Sequence, residues 1–218
     1  MSLHAETTLA GEQLQLLPER AIYWPRLRTL IVADLHWGKE ETFRAAAIPV
    51  PGGTLQADLA RLGSALCRTG SERLLVLGDL WHDRAGRAES LLETLLSWRN
   101  SFANLAIELV PGNHDRGFGP FQSDLRLSVR DHTLVEAPFV FRHFPDPSTD
   151  GYVLAGHIHP AVVLRGEGRQ KLRLPCFWLG AAVGVLPSFG QFTGHGDVLP
   201  KRGDRVFVIA GEEVIAVA

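Results

Sequence analysis

Four short aliphatic runs in this 218-residue chain end alike: RTLIVADLH (28–36), RLLVLGDLWH (73–82), LAIELVPGNHD (105–115) and YVLAGHIHP (152–160). They are apolar at nearly every position, which suits strands covered on both faces, because a strand with one solvated face would alternate. Each releases carboxylate, amide or imidazole side chains only at its C-terminal end. Amphipathic segments lie between the runs. In TLQADLARLGSALCRTG, Leu55, Leu59, Leu62 and Leu66 recur at helical spacing, with Thr54 as N-cap and Gly70 as stop. A second helix is expected through RAESLLETLLSWRN, on Leu91, Leu92, Leu95 and Leu96. Strand alternating with helix predicts an α/β sandwich whose site lies outside the carboxyl ends of the strands. After residue 160, AVVLRGEGRQKLRLPCFWL and RVFVIAGEEVIAVA read as hairpins that supply a second sheet, the latter turning near Gly211 and Glu212. No internal repeat, low-complexity tract or long linker interrupts the pattern, so one domain over residues 1–218 is expected.

Composition narrows the function only by exclusion. A net charge of −2 and a pI near 6.5 give no global basic field, so a polyanion would have to be attracted locally. Cys67 and Cys176 lie in no CxxC spacing, which argues against a disulfide framework or a thiolate metal site. The N-terminus lacks a basic region followed by an apolar one, and no apolar run approaches the roughly 18 residues of a membrane span. A soluble, cytoplasmic protein with no membrane partner is expected.

The strand tips carry Asp34 and His36, Asp79 and His82, Asn113, His114 and Asp115, then His157 and His159, while His143 stands in FVFRHFP. Carboxylate, neutral imidazole and amide carbonyl share one capability, donating a lone pair to a divalent cation. Singly, each motif is equally a turn or a cap. Four of them, each after an apolar strand, are hard to obtain from turns alone. Seven donors, Asp34, His36, Asp79, Asn113, His143, His157 and His159, exceed what one ion needs but fit two ions about 3.5–4 Å apart that share Asp79. Two divalent ions against two carboxylates leave surplus positive charge, suited to an anionic ester. Nitrogen and oxygen donors without sulfur favour manganese first, then iron or zinc.

In order and spacing these motifs resemble the calcineurin-like metallophosphoesterases, whose pattern runs DxH, GDxxD, GNH[DE], a lone His, then GHxH. The resemblance implies a four-layer α/β/β/α sandwich, two mixed sheets flanked by helices. It also implies one metal on Asp34, His36, Asp79 and His159, a second on Asp79, Asn113, His143 and His157, and His114 acting beside them. One position departs: where most members carry an Asp three residues after Asp79, His82 stands here, as in the double-strand-break repair nucleases of the superfamily. ADLHWGKEETFRAAAIPVPGG, LGDLWHDRAGR, LRLPCFWL and LPSFGQFTG are closer still to the bacterial ligase-associated DNA damage response endonucleases, with FTGHG a small departure at His195. That group implies manganese-dependent phosphodiester cleavage of DNA, a hydroxide bridging the metals attacking phosphorus in line, repair partners such as a ligase or helicase, and a homodimer as one expected state.

Around this set, His114 is expected to stabilise developing charge or to protonate the leaving oxygen, and His82 to act as second donor or to orient His114. Asp115 either steers His114 or closes a turn. Gly78, Gly112 and Gly156 precede ligands, consistent with close backbone approach or with ordinary turns. Trp37 and Trp81 are candidates for core packing or base stacking, and RGEGRQKLR for a solvated hairpin turn or a backbone-tracking basic patch. His4, His132 and His195 are expected at the surface and Cys67 in the core. A small-molecule phosphatase or cyclic-nucleotide phosphodiesterase would use the same centre, and a non-catalytic scaffold would show eroded ligands; none is eroded.

Overall fold

The computed structural model describes residues 4–50, 52–86, 88–116 and 119–218. The first sheet has seven strands in chain order: β1 (Ala5–Leu9), β2 (Glu12–Leu17), β3 (Ala21–Trp24), β4 (Thr29–Val32), β5 (Arg73–Leu77), β6 (Ala106–Val110) and β7 (Leu127–Val129). β1 to β4 form an antiparallel meander, and β4 to β7 are parallel. Parallel neighbours need crossovers, and here helices α1 (Lys39–Ala45), α2 (Thr54–Thr69), α3 (Glu89–Ser101) and α4 (Gly119–Asp124) lie in them. The second sheet, also mixed, contains β8 (Thr133–Glu136), β9 (Phe139–Arg142), β10 (Tyr152–Ala155), β11 (Pro160–Arg165), β12 (Lys171–Leu179), β13 (Val183–Val185), β14 (Gly196–Asp197), β15 (Arg205–Ala210) and β16 (Glu213–Ala216).

Burial on both faces explains the unbroken apolar runs. Along β4, β5 and β6, Leu30, Val32, Leu74, Val76, Ile107 and Leu109 pack against Leu55, Leu59, Leu62 and Leu66 of α2 and Leu91 and Leu95 of α3. Their alternates Ile31, Leu75, Leu77 and Val110 face the second sheet and meet Phe139, Phe141, Leu154, Phe177 and Phe207. Each fully buried side chain of this kind stabilises the fold by about 1.5–3 kcal/mol relative to exposure. The strands are thereby rigid up to the point where the polar residues begin.

Both hairpins stand where the sequence reading puts them, the last turning at Gly211 with φ +63°, but the second sheet begins earlier than read, at β8, and takes the fourth apolar run, β10, between β9 and β13. The outer helical layer over the second sheet has no counterpart among the described residues, since all four α-helices lie between residues 39 and 124. Thr54 is the first helical residue rather than the cap: Gly53, at φ +88°, occupies that position with no side-chain cap. The stop at Gly70 is left-handed, as expected. No helix among the described residues is long and apolar enough to cross a membrane.

Cys67 points to solvent, not into the core, whereas Cys176 is sealed and burial pushes its thiol up to about 12. Titration of the native protein with a thiol reagent is therefore expected to modify Cys67 alone, and denaturant to release Cys176. Rapid native modification of both would contradict the packing of β12.

Candidate metal centre

The loops after β4 and β5 are zipped together by backbone hydrogen bonds. Asp34 N–H donates to the Gly78 carbonyl (3.2 Å), His36 N–H to that of Asp79 (2.9 Å), Trp37 N–H to that of Leu80 (2.8 Å) and His82 N–H to that of Trp37 (3.0 Å). Strand-like pairing thus continues past the strand ends and fixes Asp34 and His36 against Asp79. The tips of β9 and β10 are joined likewise, Gly156 N–H donating to the His143 carbonyl at 3.1 Å.

Two donor sets result. Ligand atoms of Asp34, His36 and His159 lie within 4.8 Å of one another, and so do those of Asp79, His143 and His157. Imidazole nitrogens face each other within the sets: His36 Nε2 is 3.4 Å from His159 Nε2, and His157 Nδ1 is 3.1 Å from His143 Nε2. The Asn113 amide oxygen joins the second set, 3.0 Å from His143 Nε2. His143 links the two, its Nδ1 being 3.7 Å from Asp34 Oδ1 and its Nε2 3.4 Å from Asp79 Oδ2. All seven sequence-predicted donors therefore converge at one end of the sandwich.

The backbone is bent to make this possible. Asp34, His36, Asp79, His157 and His159 all have positive φ, between +45° and +74°. Non-glycine residues adopt this region rarely and at a cost of order 1–3 kcal/mol each. The glycines beside them are required by contact, which decides between the two readings. A Cβ on Gly78 would lie 2.1 Å from His143 Nδ1, on Gly112 2.3 Å from Asp79 Oδ1, and on Gly156 2.5 Å from Asp34 Oδ2.

The electrostatics fit cations. Asp34 is fully buried and its Oδ1 has no hydrogen-bond partner among the described residues. An unpaired buried carboxylate oxygen is costly, and a cation satisfies it. Burial holds the His36 imidazole down to about 3, so it stays neutral with a lone pair free to ligate. Burial also opposes charge on Asp79, but the hydrogen bond and charge of His143 and the N–H of His114 outweigh it and hold the carboxyl below its usual range. Orientation comes from the outer ring nitrogens: His159 Nδ1 donates to the Gly194 carbonyl (2.9 Å) and His143 Nδ1 lies 3.3 Å from the Leu77 carbonyl.

His114 sits at the rim, its side chain 38% exposed, with Nδ1 2.6 Å from the His82 carbonyl and Nε2 4.0 Å from Asp79 Oδ2. The His82 ring lies parallel to it at 5.6 Å. Burial holds His82 down to about 4, so at neutral pH its imidazole is neutral rather than a charged acid. Asp115 is buried and accepts the N–H groups of Trp81 and Gly112, closing a turn and tying two loops.

Two open readings narrow, one expectation changes and one residue was missed. Trp37 and Trp81 are 3% and 0% exposed and belong to the core, so neither ring is available for stacking. The basic stretch lies around the β11–β12 turn, roughly 17 Å along β11 from the centre, and Arg173 is engaged by Asp197 and the His195 carbonyl. His195 is half-buried, with Nδ1 unpartnered among the described residues. Ser188 Oγ, which donates to the Asp34 carbonyl at 2.9 Å, was missed, since only the LPSFGQ motif marked it.

The sequence profile of the calcineurin-like phosphoesterases matches residues 27–175 of this chain. The chain belongs to the calcineurin-like phosphoesterase family. Among solved structures it is similar to the Pseudomonas putida nuclease MPE, with 39% identity and a TM-score of 0.86 over 98% of this chain and 100% of that one. Yfce, a phosphoesterase from E. coli, matches at 17% identity and a TM-score of 0.42, over 87% of this chain and 98% of that one. No curated protein sequence matches the chain significantly. As a calcineurin-like phosphoesterase it is a metal-dependent phosphoesterase, and the two donor sets are its candidate metal sites.

Proposed function

We propose that this phosphoesterase is a DNA endonuclease working in DNA repair, with Asp34, His36, Asp79 and His159 holding one divalent ion and Asp79, Asn113, His143 and His157 a second. Manganese is the first choice on donor type. The meeting of the two donor sets at one end of the sandwich, with a buried Asp34 oxygen in the first of them that no described residue hydrogen-bonds, carries the reading, and 39% identity to a nuclease supports a nucleic acid substrate. Free thiols at both cysteines suit a reducing cytoplasm.

Two divalent ions at this position supply charge neutralisation for the phosphoryl oxygens and a nucleophile active at neutral pH. The chain's own groups do the rest. Asp79 Oδ1 accepts the His114 N–H at 3.0 Å, and Asp34 Oδ2 that of His157 at 2.9 Å, so both carboxylates are aimed before any substrate arrives. With Nδ1 donating to the His82 carbonyl, His114 presents Nε2 to the centre, where a proton on that atom can pass to the leaving oxygen. His82, stacked on the ring, keeps it from turning.

The test compares metal-stripped and manganese-loaded protein on a generic diester, a generic monoester, and single- and double-stranded DNA. Diester and DNA cleavage should need the metal and fall by about 10²–10⁴-fold in His114→Ala, with a smaller loss in His82→Ala. Monoester turnover alone would replace this reading with a small-molecule phosphatase.

A further inference from the structure

Two segments beside the centre are unused by the mechanism: the start of α1 and the loop before β14. They border a shallow cleft lined by His36, Lys39 and Phe192 among others. Phe43 lies parallel to His82 at 6.1 Å and 11°, and His82 parallel to His114 at 5.6 Å and 13°. The three rings form a column that ends at the centre. Phe192 meets Phe43 edge-on at 5.4 Å, and both phenylalanines keep part of their surface in solvent, unlike the sealed tryptophans.

Lys39 carries its ammonium 5.6 Å from the centre of the Phe192 ring. Its charge reaches both His36 and His82. Neighbouring carboxylates are already engaged: Glu40 by Arg44 and the Leu55 N–H, Asp58 by Arg61 and the Gln191 N–H. The Lys39 side chain makes no ion pair or hydrogen bond among the described residues. Glu41, also lining the cleft, keeps one buried oxygen without a partner among them, an acceptor of the kind a base amine satisfies.

An unpaired cation against partly open aromatic rings, next to a centre for phosphodiesters, matches the two faces of a nucleotide: charge for a phosphate, a π surface for a base. We propose that Lys39, Phe43 and Phe192 bind the nucleotide adjoining the scissile phosphate, Phe192 stacking its base, Lys39 taking its phosphate and Phe43 holding Phe192 and His82 in place. The inference rests on the nuclease reading above. A purely structural role for the cluster predicts equal losses on every substrate.

Binding of a labelled thymidine oligonucleotide is measured by fluorescence anisotropy on manganese-loaded protein carrying His114→Ala, so that the oligonucleotide survives. Adding Phe192→Ala should weaken binding by about 5-fold to 150-fold, and the effect should vanish on an oligonucleotide with an abasic site next to the contacted phosphate. Adding Lys39→Gln should lower the slope of log affinity against log salt by about 0.7, and Lys39→Arg should retain the slope. In the His114 enzyme, Phe192→Ala should cost at least about 5-fold more on the oligonucleotide than on a generic small diester. Equal weakening with and without the base, an unchanged salt slope in Lys39→Gln, or equal losses on both substrates overturns the assignment. An oligonucleotide bound equally well by parent and variants removes this nucleotide site alone, whereas protein that binds no oligonucleotide and turns over only small esters removes the nuclease reading and the nucleotide site with it.

Discussion

Asp79→Asn is expected to lower phosphodiester turnover by on the order of 10³-fold while leaving the fold intact. The substitution is isosteric and the surviving amide oxygen can still accept the His114 N–H that Asp79 Oδ1 accepts at 3.0 Å. What it removes is the charge and the second donor oxygen, which lies 3.4 Å from His143 Nε2 and 4.0 Å from His114 Nε2. Asp34 lies against the outer nitrogen of His143 (3.7 Å) and accepts the His157 N–H (2.9 Å), but among the described residues Asp79 is the one carboxylate in the second donor set. Affinity for metal should fall with activity, because the proposed shared ligand contributes to both ions. The checks are a metal titration followed by calorimetry, steady-state turnover of a generic diester, and a circular dichroism melt. Turnover within tenfold of the parent, at saturating metal, would mean that Asp79 bridges nothing.

Gly78→Ala should be among the most damaging single-methyl changes in the chain. An added Cβ would meet the ring of His143 at 2.1, 2.5 and 2.7 Å, and the position already sits at φ +76°. His143 is 1% exposed and wedged between Asp34 and Asp79, so it has nowhere to retreat. Overpacking of this kind costs about 1–3 kcal/mol, and the left-handed backbone adds about 1 more. At about 2–4 °C per kcal/mol for a chain of this size, the melting temperature should drop by roughly 4–16 °C. Gly11→Ala is the control: Gly11 has φ +86° but its Cβ would meet nothing within 4 Å, so it carries the backbone strain without the clash. Equal melting temperatures for the two variants would show that His143 is not held against Gly78.

How much of this was legible beforehand follows from what each element depends on. The four apolar runs were readable because burial on both faces leaves a local mark: Leu30, Leu74 and Ile107 face the helices while Ile31 and Leu75 face the second sheet. The donors could be found because each stands within a few residues of a strand end. The antiparallel meander of β1 to β3 was passed over. It carries short strands such as AETTL, in which only Thr7 and Leu9 are buried, and a pattern that weak is set by pairing to its neighbours rather than by its own sequence. Cys67 was misplaced for a different reason: it stands on α2 one residue past Leu66, turned away from the stripe of Leu55, Leu59, Leu62 and Leu66 that is buried. The tryptophans illustrate the same limit. Trp37 and Trp81 adjoin ligands in sequence, yet the parallel bridge between them turns both rings into the core, and Phe43 and Phe192 hold the partly open places instead. Close approach at Gly78, Gly112 and Gly156 could be suspected but not decided, because the groups that would clash, His143, Asp79 and Asp34, come from distant parts of the chain.

The proposed chemistry needs two cations sharing one carboxylate, and a crystal soaked in manganese, with anomalous scattering collected at the metal edge, tests that most directly. Two anomalous peaks about 3.5–4 Å apart are expected, one against Asp34, His36 and His159, the other against Asn113, His143 and His157, with Asp79 touching both. A single peak, or a pair in which Asp79 contacts only one ion, would contradict it.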